Sequence, residues 1–225
     1  MDDTAELAQL AARRSGLYWL LAELVLSRPE PAIIESLCND LPRQAADATS
    51  SPVIASLTAM RDALPTPGNA VAMDALAAEY TRLFGGIKSG YGLPPPYESV
   101  HRSAGDPSDL FVEIVARYGT AGFPALGEAA APPDHLGVEF KFIALLCHKE
   151  MEAWRVESTT AAVEALRQQR DFLDEHLLKW APQFWALVKA QAQHPFYRVL
   201  AAMALDAITE DRALLEEMLV EFDTA

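Results

Sequence analysis

Along most of the chain, apolar residues recur at the three-and-four spacing of an α-helix. Leu7, Leu10, Leu17, Leu20, Leu21 and Leu24 follow it, predicting a first helix over roughly Thr4–Ser27 that Ser27-Arg28-Pro29-Glu30-Pro31 stops. A short helix is expected to about Leu41. Ser51 before Pro52 is an N-cap followed by a first-position proline, which opens a helix that fades by Pro65. Asn69 is expected to cap the next, carrying Val71, Leu76, Tyr80, Leu83 and Phe84, and Asp106-Pro107 to start another through Tyr118. The clearest pattern begins at Asp134. There Leu136, Phe140, Ile143, Cys147, Met151 and Trp154 form one continuous stripe along a single helix face. Further helices are expected over about Thr160–His176 and Pro182–Ala192; Pro195 opens another, and Glu210–Phe222 closes the fold. No strand pattern of useful length interrupts this series. The expected architecture is an all-α bundle of about ten helices forming a single domain over residues 1–225.

Two stretches break the periodicity, about residues 85–105 and 119–133. The first holds Gly85-Gly86-Ile87-Lys88-Ser89-Gly90-Tyr91-Gly92-Leu93-Pro94-Pro95-Pro96, where prolines push each preceding residue toward extended geometry. Tyr91, Leu93, Tyr97 and Val100 make it too apolar for a plain linker, and long loops inside compact folds tend to carry function.

Composition narrows the function. The 225 residues include 32 acidic and 18 basic side chains, a net charge of −14 that opposes binding to nucleic-acid phosphates or anionic lipid and favours basic partners. The two cysteines, Cys38 and Cys147, exclude a disulfide framework and a cysteine-built zinc ribbon or iron–sulfur site. No apolar run reaches the ~20 residues of a membrane span. The acidic start Met1-Asp2-Asp3-Thr4-Ala5-Glu6 is unlike a secretory or transit signal, so a cytoplasmic protein is expected.

Covalent chemistry finds little footing. There is no nucleophile elbow and no phosphate-cradling glycine motif, and Cys147 sits on the apolar stripe of its helix, where a thiol serves as packing. His135 and Glu139, four apart, support an alternative reading as a helical metal-binding protein or enzyme, although no His-Glu-x-x-His motif accompanies them. A structural subunit of an acidic helical complex is a third reading. Three clusters suited to contact remain: Tyr80-x-x-Leu83-Phe84, Pro94-Pro95-Pro96-Tyr97-Glu98-Ser99 and Pro132-Pro133-Asp134-His135. The prolines present Tyr97 at low entropic cost. Asp134 is the expected N-cap of its helix, and the helix dipole disfavours protonation of His135 in the first turn, so its imidazole is expected neutral.

These clusters resemble the TorD/DmsD/NarJ family of redox-enzyme maturation chaperones. Glu79-Tyr80-Thr81-Arg82-Leu83-Phe84 is similar to the family's aromatic-x-x-Leu-Phe segment, Pro95-Pro96-Tyr97-Glu98-Ser99-Val100 to its Pro-Pro-aromatic-x-Ser loop, and Pro133-Asp134-His135-Leu136 to its Asp-His helix start. The run Gln169–Phe184, followed by Phe196-Tyr197, resembles its C-terminal signature. The resemblance implies an all-α cytoplasmic chaperone without enzymatic activity or a cofactor of its own. Its partners would be the twin-arginine signal peptide, and in some members the mature part, of a molybdopterin oxidoreductase catalytic subunit. The net charge argues against nucleic acid and the lack of a long apolar run against membrane insertion, while the long central loops permit a monomer or a helix-exchanged dimer. Carried over by position, the peptide-binding residues are Tyr80, Leu83, Phe84, Pro96, Tyr97, Ser99, Asp134 and His135. Many members have Glu three residues before the Asp, where this chain has Ala131; Glu98 and Glu128 are the candidates for an acidic rim in its place.

Overall fold

The computed structural model describes residues 2–40, 52–66, 68–86, 92–102, 106–128 and 131–224. These form α1 (Asp2–Leu26), α2 (Pro31–Asp40), α3 (Pro52–Asp62), α4 (Ala70–Phe84), α5 (Glu98–His101), α6 (Pro107–Thr120), α7 (Leu136–Arg155), α8 (Thr159–Phe172), α9 (Leu178–Gln191) and α10 (Pro195–Thr224). A 3₁₀ turn over Pro124–Glu128 precedes α7, and a π turn over Leu173–Leu177 joins α8 to α9. Among the described residues there is no strand, so the fold is all-α as expected. Nor is any described helix long and apolar enough to cross a membrane. The expected Ser51 cap, Tyr91 and the middle of the first irregular stretch lie outside the described residues.

Several helix ends follow from the sequence. The Asn69 side chain accepts from the Ala72 N–H, and that of Asp106 from the Ser108 N–H with Pro107 next in line, each satisfying a first-turn donor. Two expected breaks are absent. The chain stays helical through Pro182, which lies inside α9 rather than at its start. A proline removes one helical hydrogen bond; here Trp180 and Ala181 before it and Phe184 and Trp185 after it are buried, and that burial outweighs the loss. Likewise α10 runs unbroken from Pro195 to Thr224, because neither glycine nor proline follows Pro195 within it and alanine and leucine favour its continuation.

The chain divides into two compact units. The first comprises Met1–Leu26, Tyr97–Ala181 and Ile208–Ala225. Its centre is α7, whose Leu136, Phe140, Ile143, Cys147, Met151 and Trp154 are all buried, as the stripe predicts. The α1 helix lies against α7 through a face of Ala8, Ala11, Ser15, Tyr18 and Ala22, and the Ser15 hydroxyl donates to the Ala144 carbonyl at 2.9 Å. On that face sits a charge no apolar pattern anticipates. Arg14 donates from Nε to Asp211 at 2.5 Å, from Nη1 to Glu150 at 2.8 Å, and from Nη2 to Gln169. The Tyr18 hydroxyl donates to Asp211 at 2.9 Å, the Trp154 indole to Glu150 at 3.2 Å, and the Gln169 amide to Glu150 at 2.9 Å. Cys147 is sealed beside this network, where burial holds its thiol well above the usual range although Arg14 pulls the other way.

The second unit comprises Ser27–Pro96 and Pro182–Ala207. Its core gathers around Phe84 at the end of α4, whose ring centroid lies 6.0 Å from that of Phe184, 6.2 Å from Trp185 and 5.9 Å from Tyr197. Aromatic rings at such separations favour tilted and edge-on packing, as here. The Tyr197 hydroxyl reaches the Leu76 carbonyl at 2.9 Å, so its polar end is satisfied inside that core.

Replacing Arg14 by methionine strands Asp211 and Glu150 without their cation. The expected cost is about 3–5 kcal/mol in urea unfolding, against about 1 kcal/mol for Tyr18→Phe, which removes one hydrogen bond.

Candidate functional site

In the first unit, two segments far apart in sequence are pinned together. Tyr97 is extended, at φ −115° and ψ 135°, and forms an isolated antiparallel bridge with His135. The Glu98 N–H donates to the Asp134 carbonyl at 2.9 Å. Asp134 Oδ2 accepts from the Ser99 hydroxyl at 2.5 Å and from the Ser99 N–H at 3.3 Å. The rings of Tyr97 and His135 meet edge to face at 5.1 Å. A Tyr118 hydroxyl bond to the Pro133 carbonyl, 2.7 Å long, holds the turn from behind.

The expected cap is shifted by one residue. His135, not Asp134, is the N-cap of α7, with Nδ1 accepting from the Gly137 N–H at 3.1 Å. Asp134 instead satisfies a first-turn donor of the short α5, which belongs to a distant stretch of chain. The neutral imidazole expected at position 135 agrees with the structure, for a different leading reason. Burial lowers its pKa to about 4 against the opposing pull of Asp134.

Beneath this turn lies a layer of buried polar groups. Glu98 is 0% exposed; Oε1 accepts from Arg102 at 2.6 Å and Oε2 lies 3.0 Å from His176 Nδ1. Glu139, also fully buried, accepts from the Trp180 indole at 3.3 Å. Burial, reinforced by the carboxylate of Glu98 and opposed by the Trp180 bond, pushes Glu139 well above the usual carboxylate range. With Glu98 enclosed and both of its oxygens engaged, it is no rim for a basic peptide. The Glu128 side chain lies outside the described residues. His135 and Glu139, the expected metal-ligand pair, are joined by no third ligand among the described residues: His135 Nδ1 carries the helix-capping bond and Glu139 is sealed in the interior.

The remaining candidates belong to the second unit. Leu83 is 0% exposed and Phe84 is built into the aromatic core, so neither lines an open groove; the periodicity that marks an apolar face marks it equally for packing. Tyr80 is half-buried with its ring 5.2 Å from that of Phe84, and Pro96 is buried. A polar lock at the same helix end escaped the sequence reading. Arg82 grips both oxygens of Glu79, at 2.9 and 2.8 Å, and donates to the Gln191 carbonyl at 2.7 Å, while Glu79 accepts from the Gln193 N–H at 2.6 Å. Burial opposes the Glu79 charge, but these donors outweigh it and keep the carboxyl below its usual range. The loop then folds back onto α4. The Leu93 N–H donates to the Arg82 carbonyl at 3.2 Å, and a Cβ on Gly92 would lie 2.1 Å from that oxygen. Gly86, at φ +55°, leaves room for Pro95, which would stand 2.6 Å from a Cβ there.

Against this geometry the comparisons with known proteins are specific. A family described as nitrate reductase delta subunit matches residues 46–186. The chain belongs to that family. The resemblance to TorD and NarJ proteins is thereby borne out. Relatives within reach include the chaperone protein TorD of Vibrio cholerae serotype O1, 27% identical over 96% of this chain and 98% of the relative. The perchlorate reductase assembly chaperone protein of Dechloromonas aromatica is 30% identical over 57% of this chain and 55% of its own length. The selenate reductase assembly chaperone protein of Thauera selenatis is 33% identical over 51% and 58%. Two of the segments that carry the family resemblance, Tyr97-Glu98-Ser99 and Pro133-Asp134-His135, are the two that meet in the first unit.

Two outcomes follow. Gly92→Ala drives a methyl into the Arg82 carbonyl and lowers unfolding stability by about 1–3 kcal/mol, read by denaturant titration. His135 makes stability fall as pH drops from about 6.5 to about 4, because the unfolded chain takes up a proton there that the buried imidazole refuses. His135→Asn keeps a capping acceptor without that titration. The stability difference between wild type and variant therefore narrows by on the order of 2–3 kcal/mol between pH 7 and pH 4, while the opposite titration of Glu139, common to both proteins, cancels.

Proposed function

We propose that this protein is a cytoplasmic chaperone, without catalytic activity of its own, for a molybdopterin-containing oxidoreductase subunit. It binds the twin-arginine signal peptide of that subunit and holds it until the cofactor is inserted, before export. The client class is supported by relatives named for the assembly of perchlorate and selenate reductases. The observation that carries the reading is the convergence of Tyr97 and Ser99 with Asp134 and His135, which holds a half-buried aromatic ring on a stiff, extended backbone.

A ring fixed in this way loses little freedom on binding, so apolar contact with the hydrophobic part of a signal peptide is not offset by ordering the receptor. Val100, 50% exposed on α5, extends the apolar surface beside it. Ser99, Asp134 and His135 act as the frame behind Tyr97. Leu83, Phe84 and Pro96 support the second unit from within, and Tyr80 is a partly accessible aromatic of that unit. The arginines of the peptide respond to the net charge of −14 rather than to Asp134 or Glu98, which are already engaged. Long-range attraction of this kind raises the association rate more than the affinity and is screened by salt.

Calorimetry with a client's twin-arginine peptide tests the assignment. Tyr97→Ala is expected to weaken binding at least about tenfold, or about 1.4 kcal/mol, with helical content unchanged. Leu83→Ala instead costs about 2–4 kcal/mol of stability and leaves the affinity of the folded protein near wild type. Equal affinities for wild type and Tyr97→Ala exclude Tyr97 as the contact.

A further inference from the structure

One group in the first unit is left unexplained by the peptide reading. His176 is completely buried within the π turn, stacked on Phe172 at 4.6 Å, and its Nδ1 is 3.0 Å from Glu98. Its other ring nitrogen, Nε2, has no hydrogen-bond partner among the described residues. Buried polar atoms in folded proteins are nearly always satisfied, and the exceptions call for a physical reason. Glu113 Oε1 lies 3.9 Å from Nε2, and one ligand atom from each of Glu113, Glu175 and His176 falls within 4.8 Å of the others.

We propose that Glu113, Glu175 and His176 form a binding site for a zinc-type divalent cation. An Nδ1–H donated to Glu98 leaves the Nε2 lone pair free to ligate. A carboxylate behind a metal-binding histidine is the usual outer-shell arrangement, fixing the tautomer and strengthening the ligand. One imidazole and two carboxylates are a three-ligand set that zinc accepts with water completing the coordination. Zinc ligands about 2.0–2.2 Å from the ion stand roughly 3.4 Å apart, so the side chains close by about 1 Å. Glu113 and Glu175, 51% and 45% exposed, lie at the surface where a side chain can make that movement, and they leave the site open to solvent.

The surrounding charge suits a cation. Arg102 lies on Glu98 and also donates to the Glu175 backbone carbonyl, and Arg117 pairs with Glu175 Oε2. Three carboxylates against two guanidinium groups leave the cluster one negative charge in excess. A carboxylate can give one oxygen to a guanidinium and the other to a metal, so Arg117 and the cation need not compete. The π turn supplies the geometry. Such insertions are rare in helices and cluster at functional sites, and this one brings the neighbouring residues Glu175 and His176 into the same ligand group.

Chelator-treated, untagged full-length protein titrated with zinc chloride is the test. The expected result is one saturable equivalent per chain, an increase in unfolding temperature with zinc, and no comparable response to magnesium. Glu113→Gln and Glu175→Gln, both at exposed positions, should retain wild-type circular dichroism, bind zinc about 10-fold or more weakly, and lose the thermal shift. Glu98→Gln should weaken binding by about 10–100-fold through His176. The proposal is overturned if zinc fails to saturate at one equivalent, or if it binds the Glu113→Gln and Glu175→Gln proteins as tightly as wild type. Neither result depends on signal-peptide binding.

Discussion

A guanidinium removed from water costs several kcal/mol unless its donors are met, and the first unit is organised around meeting those of Arg14. Asp211, Glu150 and Gln169 receive them, and these acceptors come from α10, α7 and α8 while the cation comes from α1. Four helices are thus held by a bond set that a sliding apolar face cannot provide. Hydrophobic contact is nondirectional; a planar group with fixed donors is not. The register of α1 on α7 follows, and with it the position of the α7 N-terminus where His135 caps the helix.

That N-terminus is where sequence-remote segments meet. Asp134 stands one residue outside its own helix and caps another, a division of labour that leaves His135 to serve α7. The buried layer below, Glu98 with Arg102 and His176, locks the same turn from inside. At the turn itself the accessible apolar chemistry is a half-buried tyrosine ring and a neighbouring exposed valine, held on a hydrogen-bonded frame.

Much of the helix plan was legible in the sequence because it rests on local rules: the α7 stripe, the Asn69 and Asp106 caps, and the proline starts. The continuity of α9 and α10 was not, since tertiary burial decided it against the local stop signals. At the site, periodicity identified Leu83 and Phe84 as apolar-face residues but could not tell a core from a groove, as both present the same pattern. Charge misled at Glu98. A glutamate in a proline-rich loop reads as solvated, and only the fold reveals that Arg102 and His176 enclose it. The Arg14 network had no local signal, because its partners lie up to 197 residues away.

That separation bears on how the protein is made. During synthesis α1 is made long before the carboxylate that completes the coordination of Arg14, since Asp211 lies 197 residues further along the chain, midway through α10. Until then α1 carries on its apolar side a cation without its full set of acceptors, so contacts of long sequence separation set the pace at which the first unit closes.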